Sequence, residues 1–221
     1  MPKGARATAK ATKGRDLTPR AKVELVCCES DDGRQSETYR MKYVDRGRMI
    51  ETRGMVLHFT YTATLSEAVQ AWENDGFGPH VVVDTDGKAY QLVDSLGDQV
   101  AAAGGTNEWC VQVEIVGMGE KALLSNAAQT AKVVEVVKEL AAKFTIPLTN
   151  GDIEERRGVF SHGQAKKRWG RSRTLTGTDF DPGEAYMKRV LTEAGGTYVP
   201  EPGWKGRTGG AWVIELEDWL P

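Results

Sequence analysis

The stretch HVVVDTDGKAYQLV, residues 80–93, decides how this chain is read. With Pro79 before it, the stretch reads as two strands joined by a turn. Between them Asp84-Thr85-Asp86-Gly87 is a turn, because Asp-Gly is a strong hairpin signal. A β-hairpin therefore sits near the middle of the sequence. The flanking elements are read outward from it.

Upstream, Met55 to Thr60 (MVLHFT) is another short apolar strand. Thr64 then opens a helix, with Glu67 placed to complete a capping box. Leu65, Ala68, Val69 and Trp72 follow at i, i+3, i+4 and i+7, one helical face, and Gly76 and Gly78 end it. Downstream, Cys110 to Gly117 (CVQVEIVG) alternates and is rich in Val and Ile, so it reads as a strand. A long helix is expected within 125–144, with Val133, Val137, Leu140 and Phe144 on one stripe. Residues 151–178 are highly charged and read as loop. Pro182 is expected at the first position of a further helix, with Asp181 as its N-cap. Tyr186, Val190 and Ala194 give that helix an apolar face, and Gly195-Gly196 stops it. The last 25 residues, ending in the alternating WVIELEDW, read as a final strand or a linker. Lys22 to Cys28 reads as a short strand and 29–52 as irregular. Strands and helices mix between 53 and 195, which predicts a single α/β domain with a central mixed β-sheet flanked by helices.

Composition agrees with such a domain. The chain has 221 residues, 40% apolar and 27% charged, within the globular range. No run of 18 apolar residues occurs, so no membrane insertion is expected. Three cysteines without framework spacing argue against a disulfide scaffold and against a thiolate zinc site. The net charge of −2 gives no general argument for nucleic acid, and no nucleic-acid motif is present. Charge is unevenly placed, however. Residues 1–22 carry seven Lys or Arg and one Asp, and the remainder is acidic. This segment lacks an apolar core, so it reads as a basic flexible tail, not a secretory signal. The expected organisation is a tail at 1–22, a domain at 23–196 and a C-terminal extension at 197–221.

Four residues stand out. His58 lies within a strand, where a lone histidine is usually a hydrogen-bonded core residue. His162 follows Phe160-Ser161 in a loop context. Asp181 reads as a helix cap when taken alone. Glu114 interrupts an apolar strand; it either faces solvent or is buried, which costs several kcal/mol without a partner.

Taken in order, these pieces resemble the type 2 zinc N-acetylmuramoyl-L-alanine amidases, a family that includes phage endolysins and peptidoglycan recognition proteins. The resemblance covers roughly 53–195. Its parts are VLHFT with His58, the helix carrying Trp72, the hairpin 80–93, Glu114 in VQVEIVG, Ser161-His162, and Asp181-Pro182-Gly183. It implies that His58, His162 and Asp181 hold Zn2+ and that Glu114 is the catalytic base. Three protein ligands with a fourth position left for water suit a zinc hydrolase. The implied reaction is hydrolysis of the amide between N-acetylmuramic acid and L-alanine in peptidoglycan. His80 matches a family position that is not a ligand; packing near the site or a substrate contact is expected of it.

The chain departs from the family in three places. Pro79 stands where some members have a Tyr. Ala101 to Gly104 replaces a Trp-His-Ala-Gly segment. Asp179 stands where many have an oxyanion-stabilising Lys, leaving Arg171, Arg173 or Thr178 as substitutes. The basic stretch 166–173 is either a solvated loop or a rim gripping stem-peptide carboxylates, with Trp169 able to stack on a sugar. Gly76–Gly78 and Asn107–Trp109 are further rim candidates. Two other functions fit the same residues: a peptidoglycan-binding module without catalysis, and a cytoplasmic wall-recycling amidase. The leading expectation is an endolysin made in the cytoplasm and acting on the wall after release, or on phage particles. Its basic tail would be drawn to anionic wall polymers.

Overall fold

The computed structural model describes residues 46–170 and 181–201, together with the backbone of two strands at 204–208 and 211–214. The basic tail, the strand expected at 22–28, and Arg171, Arg173 and Thr178 lie outside the described residues.

The alternation in CVQVEI builds the centre of the molecule. Strand β4 (Cys110–Ile115) is the middle member of a five-stranded sheet of order β3-β2-β4-β1-β5. Strand β1 (Gly54–Phe59) runs parallel to β4 on one side and to β5 (Gly158–Ser161) on the other. Strand β2 (Val81–Val83) is parallel to β4, and β3 (Ala89–Gln91) returns antiparallel to β2. The sheet is thus mixed, as expected, and the 80–93 hairpin forms its edge.

Side chains alternate between faces along a strand. Met55, Leu57, Val111, Val113, Ile115, Val81 and Val159 lie on one face. They join the main core with Leu65 of α1 (Leu65–Asp75), Val133, Val137 and Leu140 of α3 (Ala127–Phe144), and Tyr186 and Val190 of α5 (Glu184–Glu193). The opposite face carries Val56 and His58 of β1 and Cys110, Gln112 and Glu114 of β4. One end of that face is closed by Val56, Ala103, Trp109, Cys110, Phe160 and Ala165, with Trp169 packed against them. The other end holds the polar residues.

Local signals account for most helix ends. Thr64 and Glu67 form the expected capping box, and Gly76 ends α1 in the left-handed region. The helix expected within 125–144 is found there as α3. A short α2 (Glu120–Ser125) precedes α3, and the break falls at Asn126, whose side chain accepts the Gln129 N–H and caps α3.

Three expectations are corrected. Residues 151–178 are not all loop: β5 and α4 (His162–Trp169) lie there. The charges that suggested loop lie partly before β5, at 152–157, and partly in the last turn of α4, whose Gly163, Gln164 and Ala165 are buried. Pro182 is not the first helical residue, and Asp181 is not the cap; α5 begins at Glu184 with Gly183 as N-cap. The C-terminal segment contains a hairpin, β6 (Trp204–Thr208) and β7 (Ala211–Ile214), where a single strand or linker was expected. Residues just after 197 pack onto the body. Asn150 exchanges two hydrogen bonds with the Val199 backbone, and buried Glu201 pairs with Arg168 at 2.9 Å. No helix among the described residues is long and apolar enough to cross a membrane.

Candidate metal and catalytic site

Strands β1, β4 and β5 are parallel and end along one edge of the sheet, the usual place for a site in an open α/β sheet. His58 is the penultimate residue of β1, Glu114 the penultimate residue of β4, and the two are register partners. His162 follows β5 directly. It is the first residue of α4, not a loop residue, and Ser161 caps that helix by accepting the Gln164 N–H at 3.1 Å.

Asp181 comes from the far end of the domain and is tied in by main-chain groups. Its Oδ2 accepts the Phe59 N–H at 3.2 Å, and its carbonyl accepts the His162 N–H at 3.1 Å. The result places Asp181 Oδ2 3.7 Å from His58 Nδ1 and Asp181 Oδ1 3.0 Å from His162 Nδ1. The two imidazole rings are tilted, with centroids 4.7 Å apart. One donor atom from each of the three residues lies within 4.8 Å of the others.

Glu120 supports this arrangement from α2. Gly183 has φ +103° and no side chain to cap α5. The Glu120 carboxylate occupies the space a Cβ on Gly183 would fill, and its Oε1 accepts the Tyr186 N–H at 3.1 Å. The orphan amide of the first turn is therefore satisfied from another helix. Asp181 is freed from capping and turned toward the histidines.

Burial sets the protonation states. His58 is held down to about 4 by burial first and by neighbouring His162 second, so it is neutral at neutral pH. Glu114 is pushed well above the ordinary carboxyl range by burial and then by the charge of Asp181. Its Oε2 and Asp181 Oδ1 are buried without a hydrogen bond to any described residue. Glu114 therefore does not face solvent.

Four sequence-proposed contacts fall elsewhere. His80 is wholly buried; its Nε2 lies 2.7 Å from the Asp98 carbonyl and its Nδ1 accepts the Gln112 N–H at 2.9 Å. Both ring nitrogens are used by backbone, so none is left for substrate. The Trp169 ring packs edge-on against Trp109 and Phe160, each at 4.9 Å between centroids. Trp109 is itself buried in that cluster and forms no rim. Asn107 spends its side-chain oxygen on the Ala102 and Ala103 amides. Conversely, Gln112 and Glu120 were missed. The alternation of CVQVEI places Gln112 on the face of Glu114, and that signal could have found it.

The model of the family described as N-acetylmuramoyl-L-alanine amidase matches residues 48–184, well over half of the chain. The chain belongs to that family. A comparison with the curated proteins finds no sequence match. Among solved structures, the fold is similar to the hydrolase AmiA of Staphylococcus aureus, with a TM-score of 0.52 and 16% identity over 71% of this chain and 78% of that one. It is also similar to the endolysin of Thermus scotoductus bacteriophage Ph2119, with a TM-score of 0.51 and 20% identity over 72% and 94% of the two chains. AmpDh3 of Pseudomonas aeruginosa gives a TM-score of 0.51 and 17% identity over 75% and 68%. At these identities the structural likeness establishes the fold.

The residues present fit a zinc ion. Two imidazoles and one carboxylate are a donor set of catalytic zinc sites. Asp181 Oδ1, without a hydrogen bond to any described residue, and the His58 and His162 Nδ1 atoms that face Asp181 lie close together.

Proposed function

We propose that this chain is a zinc-dependent N-acetylmuramoyl-L-alanine amidase that cleaves the bond between N-acetylmuramic acid and the first L-alanine of the peptidoglycan stem. The convergence of His58, His162 and Asp181 within 4.8 Å, beside a buried Glu114 whose Oε2 has no hydrogen-bond partner among the described residues, carries this reading. Zinc, when bound, supplies a Lewis acid that acidifies water and polarises an amide carbonyl.

The protein's own groups do the rest. Asp181 brings the charge that lets two neutral imidazoles hold a dication. Glu114 takes a proton from the attacking water and delivers it to the departing alanine nitrogen. Its raised affinity for a proton suits both halves of that transfer. The sheet face and the aromatic cluster at Trp109 close the inner side of the site to solvent. Arg171, Arg173 and Thr178, next to Asp181 in sequence, are the proposed source of oxyanion stabilisation. An endolysin or similar wall-lytic role, with the basic tail drawn to anionic wall polymers, completes the proposal.

The test is mass spectrometry of fragments released from purified peptidoglycan by the zinc-loaded chain and by Glu114→Ala. Intact stem peptides with a free L-alanine amine are expected from the native chain only. A native chain that binds zinc and peptidoglycan yet releases nothing would be a binding module instead.

A further inference from the structure

Gln112 is fully buried on the central strand, two residues before Glu114 and on the same face. Every polar group it owns is engaged. Its backbone N–H donates to His80 Nδ1 and its carbonyl accepts the His80 N–H, each at 2.9 Å. Its side-chain Nε2 lies 3.3 Å from Thr106 Oγ1 and 3.3 Å from the Cys110 carbonyl. Its Oε1 lies 2.9 Å from His58 Nε2.

The direction of these bonds can be worked out. A carbonyl only accepts, so the group facing Cys110 must be the amide NH2. The Thr106 hydroxyl spends its hydrogen on the Ala103 carbonyl at 2.9 Å, so it too accepts from Gln112. The amide cannot be turned around without losing both bonds. Oε1 therefore faces His58, and His58 Nε2 must carry the proton. Nδ1 is then the nitrogen with the lone pair, and it is the one facing Asp181.

We propose that Gln112 is a positioning residue that fixes His58 as the Nε2–H tautomer and thereby presents Nδ1 to the metal. The inference rests on the zinc reading above. Outer hydrogen bonds of this kind set ligand orientation and are worth 10- to 100-fold in metal affinity. His80 has a part in the same chain: it holds the strand backbone at Gln112, and so fixes the height from which the amide reaches His58.

Zinc affinity is measured by competition with a chromophoric chelator for the full chain, Gln112→Leu and Gln112→Glu. Leucine fills the space and removes the acceptor; glutamate, protonated on the oxygen that faces the Cys110 carbonyl, keeps an acceptor for His58. A drop of about 10- to 100-fold is expected for Gln112→Leu, with affinity largely kept in Gln112→Glu. Equal zinc binding by native chain and Gln112→Leu would overturn the inference. Failure of the native chain to bind zinc would overturn the zinc reading instead. Nitrogen-15 NMR of the metal-free native chain gives a readout that needs no variant to fold. An Nε2–H signature for His58 is expected, and an Nδ1–H signature would overturn the proposal.

Discussion

The carbonyl of Asp181 accepts the backbone N–H of His162 at 3.1 Å, so two of the three proposed ligands are joined through main chain alone. The third is joined nearly as directly, since Asp181 Oδ2 accepts the N–H of Phe59, the neighbour of His58. The cluster is thus held by bonds that do not require an ion. Metal binding and folding should then be separable.

Asp181→Asn tests that separation. The main-chain bond to His162 survives, and the amide oxygen can still accept from Phe59. The metal-free variant should keep the native fold, with its melting temperature within a few degrees of the native value. Its zinc affinity should fall by more than the ~100-fold upper range of outer-shell changes, because a charged ligand is lost. Calorimetric melting and chelator competition check the two halves. A variant that unfolds would show that the carboxylate is chiefly structural.

Glu120 and Gly183 form a second separable pair. Gly183→Ala places a Cβ into the Glu120 carboxylate at a backbone angle alanine rarely adopts. A cost of roughly 2–3 kcal/mol is expected from overlap and strain together. Glu120→Ala removes the cap on Tyr186 and should cost about 1 kcal/mol. In the double variant the overlap is gone but the strain remains, so the two costs should not add. Urea unfolding of the four proteins measures the coupling. Simple additivity would mean that the Glu120 carboxylate moves aside freely.

The sequence already showed four of the five sheet strands and the α1 capping box, because each carries a short-range signature, whereas His58, His162 and Asp181 were grouped only by the family resemblance. Alternation marks β4, Asp-Gly marks the hairpin, and Thr64 with Glu67 marks the cap. What it hid depends on contacts between distant segments. β5 is four residues long and is recognisable only by its pairing with β1. Helix α4 is mostly polar by sequence, and its apolar contacts are made by Ala165 and Trp169. Asp181 resembled a cap because the group that satisfies α5 comes from Glu120, over 60 residues away. The packing expected of His80 is found, but its two backbone partners, Asp98 and Gln112, are fixed only in the fold.

That burial of His80 has a pH consequence. Its affinity for a proton is lowered to about 4 by burial, against about 6.5 when unfolded. Well above pH 6.5 neither state binds the proton and the full stability is present. As pH falls toward 4 the unfolded chain gains protons first, so stability is lost. Between pH 7 and pH 5 this group alone should remove about 2 kcal/mol. Urea unfolding at both values, for the native chain and His80→Asn, isolates the contribution. The variant keeps an acceptor for the Gln112 N–H and cannot titrate, so its drop should be smaller by that amount. Equal drops would place the pH dependence on other groups.

Trp169 separates the two meanings of an aromatic residue near a wall-hydrolase site. Its carbonyl approaches Gly105 so closely that a Cβ there would collide, and Gly105 adopts φ +92°. Its ring joins Trp109 and Phe160 in an edge-on trio on the inner face of the sheet. Edge-to-face contacts are worth about 0.5–1.5 kcal/mol each beyond burial. Trp169→Leu should therefore lower stability by about 2 kcal/mol, given a half-buried ring and a partial replacement of its volume. The Michaelis constant for soluble muropeptide should stay within about twofold, since a free energy change below about 0.4 kcal/mol is no more than that. A sugar platform would give the reverse pattern: near-native melting with a raised Michaelis constant. Thermal melting and steady-state kinetics on one preparation distinguish them, and the reverse pattern would return Trp169 to the substrate groove.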